Sequence, residues 1–430
     1  METVIRRDIM PGVDLTCVRT DKFKTGVLSV TLMTQLKKET ASKTALTMRV
    51  LRRGTALNPT MEDIAARLDE LYGAKIIPTL RKKGEVACLG LYSSFPDDYF
   101  TSEGGILEKT AALLGEILLN PDTSRTWLRG DYVESEKKSL IQDIHALVND
   151  KGSYANVRMT ELMCRGEAYG VRIFGSEGAV NNITATGLTK YYRELISNAQ
   201  LQIFYCGSAD ADKVELAVKA ALSDLPRGNV ERVLSTEIRY RPVKDKMRRY
   251  TERMNVTQGK LAIGFRLGDS MLTPNYAVLT VVNGLFGGGI NSKLFMNVRE
   301  RLSLCYYAHS SLEKHKGIIT VSSGIAPENL RRAEKEIFTQ LGDIKNGNIT
   351  AKELESVESE IVTAYRTYPD DQYSMENYWL DNRLLGVTVT PEEMAALVSC
   401  VSAEEVTAAA QGIEADCLYF LTGKENGHAD

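Results

Sequence analysis

The chain has 430 residues, enough for roughly two to four domains of ordinary size. It is 43% hydrophobic and 25% charged, which excludes a disordered or collagen-like chain. Its 53 Lys plus Arg nearly balance 56 Asp plus Glu, and a net charge of −3 supplies no global field toward nucleic acid or an anionic membrane.

In chain order, Met1-Glu-Thr-Val-Ile-Arg-Arg7 lacks the charged, apolar, small-residue pattern of a secretory signal. Residues 26–34 alternate apolar and polar and predict a half-buried strand. A helix is expected over 43–53, stopped by Gly54, then a second over 61–72 with Thr60 as N-cap and Gly73 closing it. Strands at 75–81 and 85–94 predict a hairpin around Lys83-Gly84. Asp97 and Asp98 after Pro96 open a helix expected to reach Leu119, and a further helix spans 126–149. Residues 201–206 read as a strand. The same rhythm then returns: strand 260–267, helix 275–286 ending at Gly287-Gly-Gly289, helix 292–302, strands 305–312 and 317–325 around Lys316-Gly317, a helix of about twenty residues opening at Pro327, and strand 417–422.

The two series share identities at a constant offset of 233. Gly54 matches Gly287, Asn58 matches Asn291, Leu71 matches Leu304, and Lys83-Gly84 matches Lys316-Gly317. Pro96 and Pro327 differ by 231, a slip that a loop absorbs. The expected architecture is therefore α+β in two homologous domains, each a mixed or antiparallel sheet packed with helices. The charged, apolar-poor stretch 226–256 is the linker candidate, which leaves domains at 1–225 and 257–430.

The residue types limit the chemistry. Cys17, Cys88, Cys164, Cys206, Cys305, Cys400 and Cys417 are scattered without a C-x-x-C pair, the pattern of reduced thiols in a cytoplasmic chain. His145, His309, His315 and His428 never stand three or four apart, so no helical histidine pair can hold a metal. The run Gly287-Gly-Gly-Ile-Asn-Ser-Lys293 is not a phosphate loop, because it follows a helix and lacks Gly directly before Lys293. Glu134 and Glu136 on helix 126–149 are read as a solvated face beside Lys137 and Lys138. No G-x-S-x-G nucleophile elbow occurs. Arg299 and Tyr306 stand out as donors toward a peptide carbonyl or an oxyanion, if the helix stops near Ser303 and Tyr306 starts a strand. Arg299 is equally placed to pair with Glu300 or Glu313 at the surface.

The repeat, together with the stretch from Gly287 through Asn291-Ser-Lys-Leu and Asn297-Val-Arg299 to Tyr306, resembles the insulinase/pitrilysin family of zinc metallopeptidases, in its bacterial processing-peptidase-like branch. The resemblance spans essentially the whole chain and is strongest over 283–325. It implies a LuxS/insulinase-type metallohydrolase-like fold and an inverted zinc motif, H-x-x-E-H, on the helix before a Lys-Gly-Thr or Arg-Gly-Thr. Arg53-Gly54-Thr55 fits the end of that helix, but the three motif positions are Ala45, Met48 and Arg49. Val278, Val281 and Val282 stand at the matching positions of the second half. Glu134 or Glu136 marks the region of the third ligand. Arg299 and Tyr306 match the family's Arg and Tyr, while their first-half counterparts are Ala66 and Gly73.

That asymmetry implies a non-catalytic subunit without zinc of its own. It would lend Arg299 and Tyr306 to a zinc-bearing sister subunit for peptide hydrolysis, with Gly287, Gly288 and Gly289 beside the substrate. Homodimers of the isolated chain are a further expectation. Two rivals stand beside this reading: an inert scaffold or binding protein of the same fold, and an active homodimer with an unconventional metal site, which the few histidines oppose.

Overall fold

Successive side chains of a strand point to opposite faces of its sheet, so a strand apolar at consecutive positions must be covered on both. The computed structural model describes residues 3–230 and 233–423, so His428 lies outside the described residues. The first half contributes β1 (Thr3–Met10), β2 (Val13–Arg19), β3 (Thr25–Gln35), β4 (Lys75–Lys83) and β5 (Val86–Pro96). A two-residue ribbon, β6 (Thr123–Ser124) with β7 (Trp127–Leu128), precedes β8 (Gln200–Gly207). The sheet order is β1-β2-β8-β3-β5-β4, with β2 and β8 parallel and the other neighbours antiparallel.

On one face, Leu28, Val30 and Leu32 of β3 join Leu89, Leu91, Leu201 and Ile203 in a single core. Helices Ala41–Leu51, Ile106–Leu119, Ala185–Asn198 and Ala211–Ala221 bury residues in that core. The opposite face is covered by Gln372–Leu385, a helix from the far end of the chain. Leu380 packs with Met33 and Cys88, Tyr373 meets Tyr92 edge-on at 5.5 Å, and Ser29 donates to Glu376 at 3.2 Å. Gln372 Nε2 donates to the carbonyls of Thr25 and Cys206 at 2.8 and 2.9 Å.

The second sheet holds β9 (Arg248–Met254), β10 (Gly259–Arg266), β11 (Cys305–Glu313), β12 (Ile318–Ile325) and β13 (Glu414–Gly423), in the order β11-β12-β10-β13-β9. Again one pair, β9 with β13, is parallel. Its cover comes from the first half of the chain: Ala155, Met159 and Met163 of helix Lys151–Met163 pack with Ala262, Cys417, Tyr419 and Leu421. A Cβ on Gly264 would stand 2.3 Å from Met163 Sδ, so this glycine leaves room for the methionines of the helix over β10. The compact units are accordingly discontinuous. One falls within Met1–His145, Val171–Ser235 and Gln372–Gly386, the other within Ala146–Gly170, Thr236–Asp371 and Val387–Asp430.

The strand orders β2-β8-β3-β5-β4 and β9-β13-β10-β12-β11 are the same, which is the internal repeat in structural form. Gly84 and Gly317 occupy corresponding hairpin turns, with φ of 55° and 67° that favour glycine. The offset drifts after the turn. Val30 pairs with Leu91, whereas Ile263, 233 residues on, pairs with Val321, 230 residues beyond Leu91.

Three expectations need correction. The division at 1–225, 226–256 and 257–430 differs from the structure. Residues 151–163 and 372–385 each join the sheet of the opposite half, and Arg248–Met254 of the expected linker is a strand. The helix expected from Asp97 begins only at Ile106, because Gly104 and Gly105 take left-handed φ of 65° and 71°. The Asp98 carboxylate then accepts the Ile106 N–H at 2.7 Å. Finally, residues 26–34, expected as a half-buried strand, lie in β3 and are buried on both faces from Gly26 to Met33, while β1 and β2 had no counterpart in the sequence reading.

Each exchanged segment is tied by buried charge. In the second unit Arg266 donates twice to Glu167, at 3.0 and 2.7 Å, and once to Asp416 at 3.1 Å, while Lys316 Nζ lies 2.9 Å from Glu167. These four side chains are at most 2% exposed. In the first unit Arg81 grips Glu376 with two hydrogen bonds, and Lys83 lies 2.9 Å from Asp381. Burial alone would raise the Glu167 carboxyl, but hydrogen bonds from Arg266 and Lys316 outweigh it and hold it below the ordinary glutamate value.

Glu167→Gln would leave Arg266 only Asp416, a carboxylate it shares with Arg248, and would take from Lys316 its ion pair with Glu167; breaking a buried pair costs about 3–5 kcal/mol. The urea midpoint of this variant is expected to fall clearly below wild type at pH 7. Because the folded value is depressed, the wild-type advantage is complete above the unfolded glutamate value of about 4.3 and fades as pH drops through the folded one. Two parallel stability curves from pH 7 to pH 3 would show that the carboxylate contributes nothing.

Candidate functional site

Arg299 and Tyr306 both sit on irregular backbone. Leu294–Arg301 winds as a π-helix, a rare form that is frequent at functional sites. Its exit is tight: the Leu302 N–H donates to Asn297 O at 3.2 Å and the Leu304 N–H to Val298 O at 3.0 Å. Ser303 takes a left-handed φ of 48°. The helix does end there and β11 begins two residues later, as the sequence suggested. Pairing then skips a residue, with Cys305 opposite Ile325 but Tyr307 opposite Gly324. Tyr306 is the extra residue of this β-bulge, a feature that re-aims a side chain.

The result is a pair of available donors. Tyr306 is 68% exposed, and its phenol makes no hydrogen bond among the described residues. The Arg299 guanidinium stacks 4.6 Å from the Phe295 ring and lies 3.5 Å from Glu300, not Glu313. A half-exposed pair at that distance is weak, so the contacts orient the guanidinium without consuming its donors. Burial raises the Cys305 thiol pKa, while a hydrogen bond with Ser323 and the charge of Arg299 oppose the rise.

The three glycines have different surroundings. The helix Tyr276–Asn283 passes into a π-helical turn, Gly284–Gly288, within which Gly287 leaves helical geometry. A Cβ on Gly287 would come 2.6 Å from the Ser310 backbone nitrogen, so this glycine serves close packing on β11. Gly287 is buried, Gly288 is exposed, and Gly289 is half-buried near Glu360. Lys293 is buried against Glu353 at 2.7 Å, which leaves it unable to meet a phosphate.

The positions of the inverted zinc motif lie on helix Ala41–Leu51 of the first unit. Ala45 and Met48 are buried, and Arg49 donates to Asp143 at 2.6 Å. Zinc needs imidazole, thiolate or carboxylate donors. Alanine has none, a thioether is a poor ligand, and a guanidinium repels the ion, so these residues do not fit zinc. Among the described residues no three His, Cys, Asp or Glu side chains converge as a ligand set. Instead the positions line a cavity of about 340 Å³, which also receives Arg52, Arg53 and Glu136. Of the two glutamates marked in the sequence, only Glu136 reaches it, lying 3.4 Å from Arg53, while Glu134 is exposed and pairs with Lys137. His145 pairs with Glu177 at the surface, and His309, exposed on β11, stacks on Tyr307. Sequence reasoning missed Arg52 and Thr79 in the cavity wall. The spacing of Arg49, Arg52 and Arg53 along one helix face was the available signal.

The family described as "Peptidase M16 inactive domain" matches residues 182–360. "Probable inactive metalloprotease YmfF" of Bacillus subtilis (strain 168) is 32% identical over 417 residues, covering 96% of either chain. The crystal structure of a conserved protein from Enterococcus faecalis V583 aligns with a TM-score of 0.89 at 27% identity, over 99% of both chains. That of a peptidase M16 inactive domain from Pseudomonas fluorescens shares the fold, with a TM-score of 0.79 at 16% identity over 98% of both. With Ala45, Met48 and Arg49 where the zinc motif would stand, the chain belongs to the peptidase M16 family, as one of its inactive metalloprotease homologues.

Proposed function

We propose that this chain is the non-catalytic subunit of a heterodimeric, cytoplasmic zinc peptidase. Its task is to present Arg299 and Tyr306 to a peptide held at the zinc site of a sister subunit. One observation carries the reading: two donors, on a π-helix and a β-bulge, stand at least partly exposed in a chain whose own motif positions cannot bind the metal. Tyr306 donates its phenolic proton toward a carbonyl near the scissile bond. Arg299 fixes the peptide backbone through its planar fork of N–H groups. The metal and the base belong to the partner, and the exposed edge of the glycine turn at Gly288 borders the peptide's path.

Two outcomes follow. Elemental analysis of the purified chain is expected to find far less than one zinc per molecule, and one tightly held zinc would contradict the assignment of Ala45, Met48 and Arg49. In the reconstituted pair, Arg299→Ala or Tyr306→Phe is expected to lower the peptidase rate by about 10²–10³-fold, the usual loss for one transition-state donor. Thermal midpoint and co-purification with the sister subunit should be unchanged. Rates within a few-fold of wild type for both variants, in a verified complex, would leave the pair with a packing role in an inert scaffold.

A further inference from the structure

The cavity at the former zinc positions has a chemical character of its own. Its volume, about 340 Å³, is at the lower end of small-ligand pockets. Ala45, Met48, Leu80 and Leu89 make an apolar floor, and three guanidinium groups, Arg49, Arg52 and Arg53, face one lining carboxylate, Glu136. Arg49 is committed to Asp143. Arg53 divides its charge between Glu136 at 3.4 Å and the Tyr132 ring at 5.2 Å. Arg52, half-buried, has no ion-pair partner among the described residues. Two further lining groups keep buried polar atoms without a hydrogen-bond partner: Arg53 Nε, a donor, and Thr79 Oγ1. Unmatched buried donors beside surplus positive charge call for an acceptor anion.

We propose that this cavity binds a peptide carboxylate, with Arg52, Arg53 and Thr79 holding its oxygens and the apolar floor receiving a neighbouring aliphatic side chain. A free C-terminus and an Asp or Glu side chain offer the same chemistry. The proposal rests on the preceding reading only in taking the ligand to be a peptide. It needs neither the sister subunit nor Arg299 and Tyr306.

The test uses the full chain alone, titrated by calorimetry with four probes: acetyl-Ala-Ala-Leu with a free C-terminus, its C-terminal amide, acetyl-Ala-Glu-Leu amide, and inorganic phosphate. At least one of the two carboxylate peptides is expected to bind saturably, and which of them binds identifies the source of the carboxylate. The amide without an acid should bind at least tenfold more weakly. Arg52→Gln should weaken binding by about ten- to a hundredfold, the span of one charge-assisted hydrogen bond. Its thermal midpoint should stay unchanged, because Arg52 makes no ion pair to lose. Arg53→Gln should act in the same direction, with circular dichroism checking that its packing on Tyr132 is not needed for folding. The proposal is overturned if neither carboxylate peptide binds, if the plain amide binds equally well, if phosphate binds as tightly as the peptides, or if Arg52→Gln leaves affinity unchanged. Failure here would not touch the assignment of Arg299 and Tyr306, which is scored on the rate of the assembled pair.

Discussion

A carboxylate removed from water must be matched by cations, and the second unit is organised around one such group. Glu167 follows helix Lys151–Met163, Arg266 ends β10, and Lys316 stands in the turn between β11 and β12, yet the three meet with almost no exposure. The first unit repeats the device with Glu376 against Arg81 and Asp381 against Lys83. In both, the lysine just before the hairpin glycine meets a carboxylate on a segment supplied by the other half of the chain. Apolar contact alone would let such a helix slide. Moving it by one turn, about 5.4 Å, would strand a buried charge, so the ion pairs set its register.

The two units present different chemistry on the same strand order. The first has a helix whose motif positions carry methyl, thioether and guanidinium groups, none of them suited to a metal cation. These positions border open space with positive walls rather than a closed core. The second unit displays Arg299 and Tyr306 on irregular backbone. Strain and irregularity persist where the surrounding structure holds them in place. Here that support comes from Gly287 packed on Ser310 and from Lys293 buried on Glu353.

Much of this was legible in the sequence, for identifiable reasons. Alternation marked β3, and glycine with positive φ marked the hairpins at Gly84 and Gly317. Thr60 announced a helix start and forms a capping box with Asp63. The strand β9 was hidden because its alternation runs through Arg248, Arg249, Glu252 and Arg253, charges satisfied by distant partners such as Asp416 and Glu334. The π-helical winding of Leu294–Arg301 was invisible because its composition suits an ordinary helix equally well. The helix exchange was invisible for a different reason. Glu376 and Arg81 are far apart in sequence, and only the folded chain matches their charges. The cavity's arginines were in plain view at helical spacing, but attention to the missing ligands passed over what had replaced them.

The exchanged helices also order events during synthesis. The strands of the first sheet are complete once Gly207 has been made, but the face carrying Met33, Cys88 and Tyr92 has no cover until Gln372–Gly386 emerges. At about 5–20 residues per second, that interval is on the order of ten seconds. Helix Lys151–Met163 has the opposite problem: it is finished early and waits for β10, β12 and β13. For that interval the nascent chain displays an apolar sheet face and an unpartnered amphipathic helix together, the kind of surface that general chaperones hold. The last strand, β13, is the piece whose arrival allows the waiting helix to be buried.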